Sequence, residues 1–282
     1  NVILDPIFIF VLDFGVRGAA MATMISQVVA FLIFVYMLFV KEHSYIKFKM
    51  RDFSYSNLIL LEIIKVGLPA SISMVIMSFG QLVFNRILTD FSIDAVAAYQ
   101  IGGRIDMVVF LPIMSIAAAL TTLVGMFYGA RRFDLIKPMV RYTTFWSMLL
   151  AGLFSLMAFF FIDDIAPLFF SVNSNNFADL LALESTISYF KIMIIAFPFI
   201  ALTMVSTRSI QAIGQAWPMT FIAIMRVLII QCGLSYFYVI YLGETDIKWV
   251  WQAIAISCVV AGIIAYIVRL YFLRERYFEK GI

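Results

Sequence analysis

Five stretches of this chain, Gly18–Val40, Val66–Asn85, Met107–Ala130, Tyr142–Ile162 and Trp249–Val268, each run for 20 or more residues without a charged side chain. The hydrocarbon core of a bilayer is about 30 Å thick and takes about 20 apolar residues per helix. Runs of this length therefore predict membrane-spanning helices. Two further spans, Ser185–Ile213 and Trp217–Leu242, are apolar but carry Lys191, Arg208 and Arg226. Residues 1–12 read as the last half of another helix, and the start of the chain as a truncation. The apolar runs are continuous rather than alternating at period two, so strands are not expected. The expectation is an all-α polytopic membrane protein with seven complete helices and a partial one.

Composition agrees with lipid as the main solvent. Hydrophobic residues make up 64% of the 282 and charged residues 13%, against about 45–50% and about 25% in soluble domains. Cys232, Cys258 and the single His43 have no metal-ligand spacing, so neither a zinc site nor a disulfide framework is expected. No GxSxG, HExxH or Gly-rich phosphate loop occurs, and Asp163–Asp164 has no second acidic cluster to form a diphosphate site. The chain is not expected to be an enzyme, to hold a cofactor or metal, or to bind nucleic acid.

Loop charge gives an orientation. The segment after the first long run carries Lys41, Lys47, Lys49 and Arg51. Two helices later come Arg131, Arg132, Lys137 and Arg141, and the tail adds Arg269, Arg274, Arg276 and Lys280. The intervening loops are acidic, with Asp90 and Asp94, then Asp163, Asp164, Asp179 and Glu184, then Glu244 and Asp246. Basic loops mark the cytoplasmic side, so the expectation is a multi-pass protein of the cell membrane with a cytoplasmic C-terminus. Residues 55–66 admit two readings: an interfacial helix with Glu62 and Lys65 on its polar face, or an early start to the next span. A weak internal repeat aligns "MISQVVAFLI" at 24–33 with "AISCVVAGII" at 255–264.

An ionisable group within a span is a functional candidate, because its cost must be offset by a partner or a polar cavity. Asp5 and Asp106 qualify. Asn1 stands one turn before Asp5 on the same helix face, and an amide can hydrogen-bond a carboxyl in either protonation state. The competing reading places Asp5 at the outer interface, capping a turn with Pro6. Asp106, near Arg104, is expected to be a structural partner of Arg86, and Arg208 and Arg226 to snorkel toward the membrane surface. Gln81, Asn85, Tyr99, Gln100, Gln211 and Gln231 are polar residues within the spans and are candidates to line a substrate cleft. Sixteen methionines and 29 phenylalanines suit an adaptable apolar surface.

Five segments in order, "NVILDPIFIF", "GVRGAAMATMISQ", "GLPASISM", "DAVAAYQIGGRI" and "LVGMFYGARR", resemble the C-terminal portion of the multidrug and toxic compound extrusion (MATE) family. The resemblance implies twelve helices in two six-helix lobes, of which this chain would hold part. Residues 1–40 would be half of helix 5 and helix 6, residues 41–66 the inter-lobe linker, and residues 67–282 the six-helix second lobe. It implies export of organic, often cationic, drug-like compounds in exchange for H⁺ or Na⁺, with the missing first lobe and the lipid bilayer as partners. In one branch of the family an Asn and an Asp on helix 5 and a Thr on helix 6 work with an Asp on helix 1. Asn1, Asp5 and Thr23 match the first three of these. The acids that a second branch carries on helices 7 and 10 have no counterpart here. The alternative within the same superfamily is a flippase for lipids or lipid-linked oligosaccharides, which would call for more cations in the helix interiors. Outside it, an intramembrane enzyme or a non-transporting receptor is the rival.

Overall fold

The computed structural model describes residues 2–39, 55–169, 177–241 and 246–274. Asn1, the basic segment 41–54, Glu244 and the tail beyond Arg274 lie outside the described residues. Helices are α1 (Leu4–Pro6), α2 (Gly15–Phe39), α3 (Asn57–Phe91), α4 (Ile93–Gly129), α5 (Phe133–Ile165), α6 (Phe177–Met193), α7 (Ala196–Ala212), α8 (Trp217–Ala223), α9 (Gly233–Tyr236) and α10 (Lys248–Phe272). Wider π-helical turns at Ile7–Val11, Ile224–Cys232 and Phe237–Tyr241 continue α1, α8 and α9. The contacts divide the chain into two units, 1–57 and 58–282.

Among the described residues six helices are long and apolar enough to cross a membrane, or seven when the α6–α7 pair counts as one span bent by 62°. This is the all-α polytopic architecture read from the sequence. One reading of residues 55–66 is set aside. From Asn57 the chain is already helical, and α3 continues unbroken through Pro69 to Phe91. Thirty-five residues span about 52 Å at about 1.5 Å per residue, so α3 is one long helix rather than a separate interfacial helix followed by a span.

In the first unit, α1 and its π turn pack on α2. Asp13 and Gly15 adopt positive φ, 52° and 51°, a conformation that Gly, Asn and Asp tolerate best, and the chain reverses there. Gly18 then meets the backbone of Phe8. A β-carbon at this glycine would stand 2.6 Å from the Phe8 carbonyl oxygen, so only glycine permits the approach.

In the second unit the helices are sorted by size as much as by polarity. The inward face of α5 is small and hydroxylated: Thr143, Thr144, Ser147, Ala151 and Ser155 are all buried. Its outward face carries Phe145, Trp146, Leu153 and Phe160, all exposed. A water-soluble helix would show the reverse. In lipid, apolar bulk is at home outside, and helices associate through small residues that let them approach closely.

The centre of this unit is α7, which packs against α4, α5 and α10 and buries ten of its 17 residues. Its approach depends on the bend that precedes it. Pro198, in the first turn of α7, lacks the N–H that would donate to the carbonyl four residues back, at Ile194. A free carbonyl in a membrane interior costs several kcal/mol. Here the Ser155 hydroxyl of α5 donates to the Ile194 oxygen at 2.6 Å. A similar device joins α3 to α8: the Thr220 hydroxyl donates to the Pro69 oxygen at 2.7 Å, and the Ser73 hydroxyl contacts both.

Replacing Ser155 by Ala should lower the stability of the full-length protein by about 1–3 kcal/mol, the usual cost of an unsatisfied buried acceptor. Ser155→Thr should keep most of it. Thermal unfolding in detergent checks this, and an unchanged midpoint in the Ala variant would mean that Ile194 needs no donor from α5.

Candidate functional site

Two intramembrane carboxylates each mark a candidate site, one within each unit. In the first unit Asp5 lies on α1, half-buried. Its Oδ1 is shielded and meets no hydrogen-bond partner among the described residues. Thr23 lies on α2, the helix against which α1 packs, and its hydroxyl donates to the Ala19 oxygen at 3.0 Å. The antiparallel contact of Phe8 with Gly18 sets the register of these helices and brings Asp5 to about the level of Met21 and Ala22, within a turn of Thr23.

In the second unit the structure builds a centre around the other acid, Asp106. Tyr99, Gly102 and Asp106 follow one another on a single face of α4 at spacings of three and four. Gly102 leaves room there. A β-carbon would sit 2.9 Å from the Tyr189 ring, so the glycine lets that ring come close to α4. Tyr189, on α6 and 2% exposed, then donates its hydroxyl to Asp106 Oδ2 at 2.5 Å. A short O–H···O bond to a carboxyl is the charge-assisted kind. The other oxygen, Oδ1, is shielded and without a hydrogen-bond partner among the described residues.

Aromatic rings wall this centre. Trp251 of α10 stacks on Tyr99 at 6.3 Å and 14°, and presents its face to the Tyr189 edge at 5.3 Å and 81°. Phe84 of α3 meets Tyr99 at 5.0 Å. The Trp251 indole N–H is itself buried and unpartnered among the described residues. Buried Gln231 lies against the Tyr99 hydroxyl. The π-helical segment Ile224–Cys232 makes i→i+5 bonds, which bring residues five apart, Arg226 and Gln231, toward one face. Arg226 turns inward, its Nη1 4.0 Å from Cys258 Sγ on α10. The result is a carboxyl, a phenol, an amide and a guanidinium around one aromatic box, a set that can hold or pass a proton or cation.

Two sequence expectations are corrected here. Asp106 is the acceptor of Tyr189 and not a partner of Arg86, which instead pairs with Asp90 one turn away at 3.4 Å. Arg226 is part-buried and inward rather than snorkelling, because the π turn changes the face it occupies. Arg208, by contrast, is exposed and donates to Gln211 Oε1 at 3.2 Å.

Of the other cleft candidates, Tyr99 and Gln231 meet in this centre. Asn85 is half-buried with its Oδ1 shielded and unpartnered among the described residues. Gln81 and Gln100 are exposed. Asp106 stands out in the sequence as an ionisable residue within a span, but its partner Tyr189 does not. The available signal was Gly102, which stands between Tyr99 and Asp106 on a helix that does not otherwise need a glycine. Among the described residues no group of three or more His, Cys, Asp or Glu gathers to hold a metal.

A model of the MatE family matches residues 69–237. Among curated proteins, the chain is similar to the probable multidrug resistance protein NorM of Thermotoga maritima. They are 30% identical over 175 residues, 61% of this chain and 37% of that protein. It is also similar to the multidrug export protein MepA of Staphylococcus aureus, 34% identical over 143 residues, 50% of this chain and 32% of that one. Among solved structures, a MOP superfamily transporter from Pyrococcus furiosus superposes with a TM-score of 0.90 at 30% identity. That match covers 97% of this chain and 60% of that one. The chain thus spans about a third of the length of these curated relatives. It belongs to the MatE family, the family that its five ordered segments resemble.

Proposed function

We propose that this chain is part of a secondary active exporter that moves organic, often cationic, drug-like compounds outward in exchange for H⁺ or Na⁺. Family membership and the multidrug relatives NorM and MepA support the substrate class. The observation that carries the coupling is Asp5, an acid in an apolar helix with one oxygen shielded and unpartnered among the described residues. A carboxyl held this way binds a proton or cation differently when its surroundings repack. That difference is the coupling free energy an exchange cycle needs. Thr23 stands on α2, the helix against which α1 packs.

In this reading Asp106 and Tyr189 give the second lobe its own ion-responsive group. Its acid stands on α4, whereas a second branch of the family carries its acids on helices 7 and 10; Tyr189 approaches from α6. The orientation proposed is C-terminus inside, at the cell membrane. The basic start of α5 and the basic end of α10 line one groove, which puts Lys137, Arg141, Arg269 and Arg274 at the same end of the bundle, as the positive-inside rule requires. Substrate would pass between the lobes as they alternate in access.

In proteoliposomes of the full-length protein, Asp5→Asn should cut gradient-driven efflux by more than about tenfold, within the usual range of coupling free energies. By the same linkage, equilibrium drug affinity in the variant should lose most of its dependence on pH or Na⁺. Unchanged gradient-driven efflux would sink the assignment of Asp5. For the second lobe, a double-mutant cycle of Tyr189→Phe and Asp106→Asn on unfolding stability should give an interaction energy of about 0.5–3 kcal/mol. Additive effects would show that the two side chains do not act together.

A further inference from the structure

The α6 arm is tied to the bundle unevenly. At one end Ile194 and Ile195 separate it from α7, and the two helices meet at 62°. Pro198 withholds the N–H that would bond the Ile194 carbonyl, and the Ser155 hydroxyl of α5 holds that oxygen instead. The backbone between the arms is therefore one hydrogen bond short, at element-terminal residues of the kind that absorb a change of angle. Along α6 the buried side chains are Ala182, Thr186, Tyr189, Phe190 and Met193. Phe190 and Met193 stand within about a turn of the bend, and Leu183 and Ile187 are only partly buried. Among the described residues of α6, Tyr189 is thus the buried large side chain farthest from the bend. Beyond it the inward face is small, and lightly packed elements of this kind open at the least cost.

Tyr189 closes this arm on Asp106, and two opposing effects decide which protonation state of the acid suits the closed arm. Ionisation makes the Tyr189 bond charge-assisted, which roughly doubles its strength. It also leaves a charge beside the Tyr99, Tyr189 and Trp251 rings, with Oδ1 shielded and without a hydrogen-bond donor among the described residues. An unpaired charge out of water costs more than one hydrogen bond returns, so the second effect wins. The closed arm suits the neutral acid, and the ionised acid is better served when the arm swings out and water reaches Oδ1. The neighbouring ionisable groups do not reverse this sign. Arg226 acts on Tyr99, and Cys258 of α10 on both tyrosines, rather than directly on the acid. Arg86 and Asp90 of α3 pair with each other, and Asp163 of α5 with Lys191 of α6. Arg104 of α4, Asp164 of α5, Glu184 of α6 and Arg208 of α7 are exposed.

We propose that α6 is a hinged arm, closed on α4 through Tyr189 while Asp106 is protonated and released when the acid ionises. This role rests on the reading of Asp106 as the ion-responsive group of the second lobe, and it names the element that the proton moves. Gly102 is the seat on which the arm closes. A β-carbon there would stand 2.9 Å from the Tyr189 ring, so a larger residue pushes the arm toward its released position.

The test is a double electron–electron resonance measurement on the purified full-length protein in detergent. Spin labels go on Glu184→Cys of α6 and Phe160→Cys of α5, both exposed positions. A reference pair joins Phe160→Cys to Ile263→Cys on α10, also exposed; the native Cys232 and Cys258 are buried. Between about pH 5 and about pH 8 the ratio of long to short distances in the α6 pair should rise about fivefold or more, the low end of ordinary coupling. The reference pair should stay fixed. Asp106→Asn, neutral throughout, should hold the short distance at every pH, and Gly102→Ala the long one. Asp106→Asn is nearly isosteric and carries the comparison even where Gly102→Ala does not fold. An α6 distance that ignores pH in the wild type, or follows it equally in Asp106→Asn, would overturn the proposal. So would a reference pair that moves as much as the arm, since the whole bundle would then be loosening. Drug affinity measured across the same pH range separates the two claims. If the arm stays still while Asp106→Asn removes pH dependence from drug binding, the hinge falls and the ion-responsive reading stands. If neither responds, both fall.

Discussion

Pro198 removes a hydrogen-bond donor within a membrane span, and the Ser155 hydroxyl replaces it at the Ile194 oxygen. In water such a gap would be filled by solvent; in lipid it must be closed by the protein. The rest of the second unit rests on this exchange. With the carbonyl satisfied, α6 and α7 can lie at 62° to each other. One arm, α7, enters the middle of the bundle with small residues such as Ala201, Ser206 and Ser209 turned inward. The other arm, α6, carries Tyr189 to Asp106. A straight helix through this region would not place both arms in these positions.

The same rule accounts for the distribution of polar side chains elsewhere. Hydroxyls of Thr144, Thr186 and Thr203 each bond a carbonyl four residues back in their own helix, which lets them be buried at little cost. Carboxylates cannot be hidden this way. Asp5 and Asp106 each keep a shielded oxygen without a hydrogen-bond partner among the described residues, and both are argued above to respond to ions. The exposed acids behave differently: Asp163 pairs with Lys191 at 3.4 Å and Asp90 with Arg86 at 3.4 Å, near the ends of helices where water screens them.

The spans were legible in the sequence because charge-free length is a direct measure of fit to a bilayer. The bend was not, although Pro198 was in view, because a proline breaks or merely kinks a helix according to what satisfies the freed carbonyl. That donor, Ser155, lies 39 residues away. Asp106 was read as a partner of Arg86 because the two lie on consecutive helices; its real donor, Tyr189, is 83 residues on. Arg226 was misplaced for a local reason. A helical period of 3.6 assigns it to one face, and the π turn at Ile224–Cys232 moves it to another. Asp5 stands out as an ionisable residue within a span and Thr23 only through the family pattern, and the packing of α1 on α2 puts their helices side by side.

Both carboxylates lead to one expectation: drug binding and ion binding share free energy in the intact transporter. The most direct measurement is ion displacement by drug in the purified full-length protein, read with a pH-indicator dye in weak buffer and with a sodium electrode. The wild type should release H⁺ or Na⁺ as drug binds, and Asp5→Asn should release markedly less at equal drug occupancy. Equal release from both proteins, or drug binding with no ion displaced at all, would contradict carboxylate-coupled exchange.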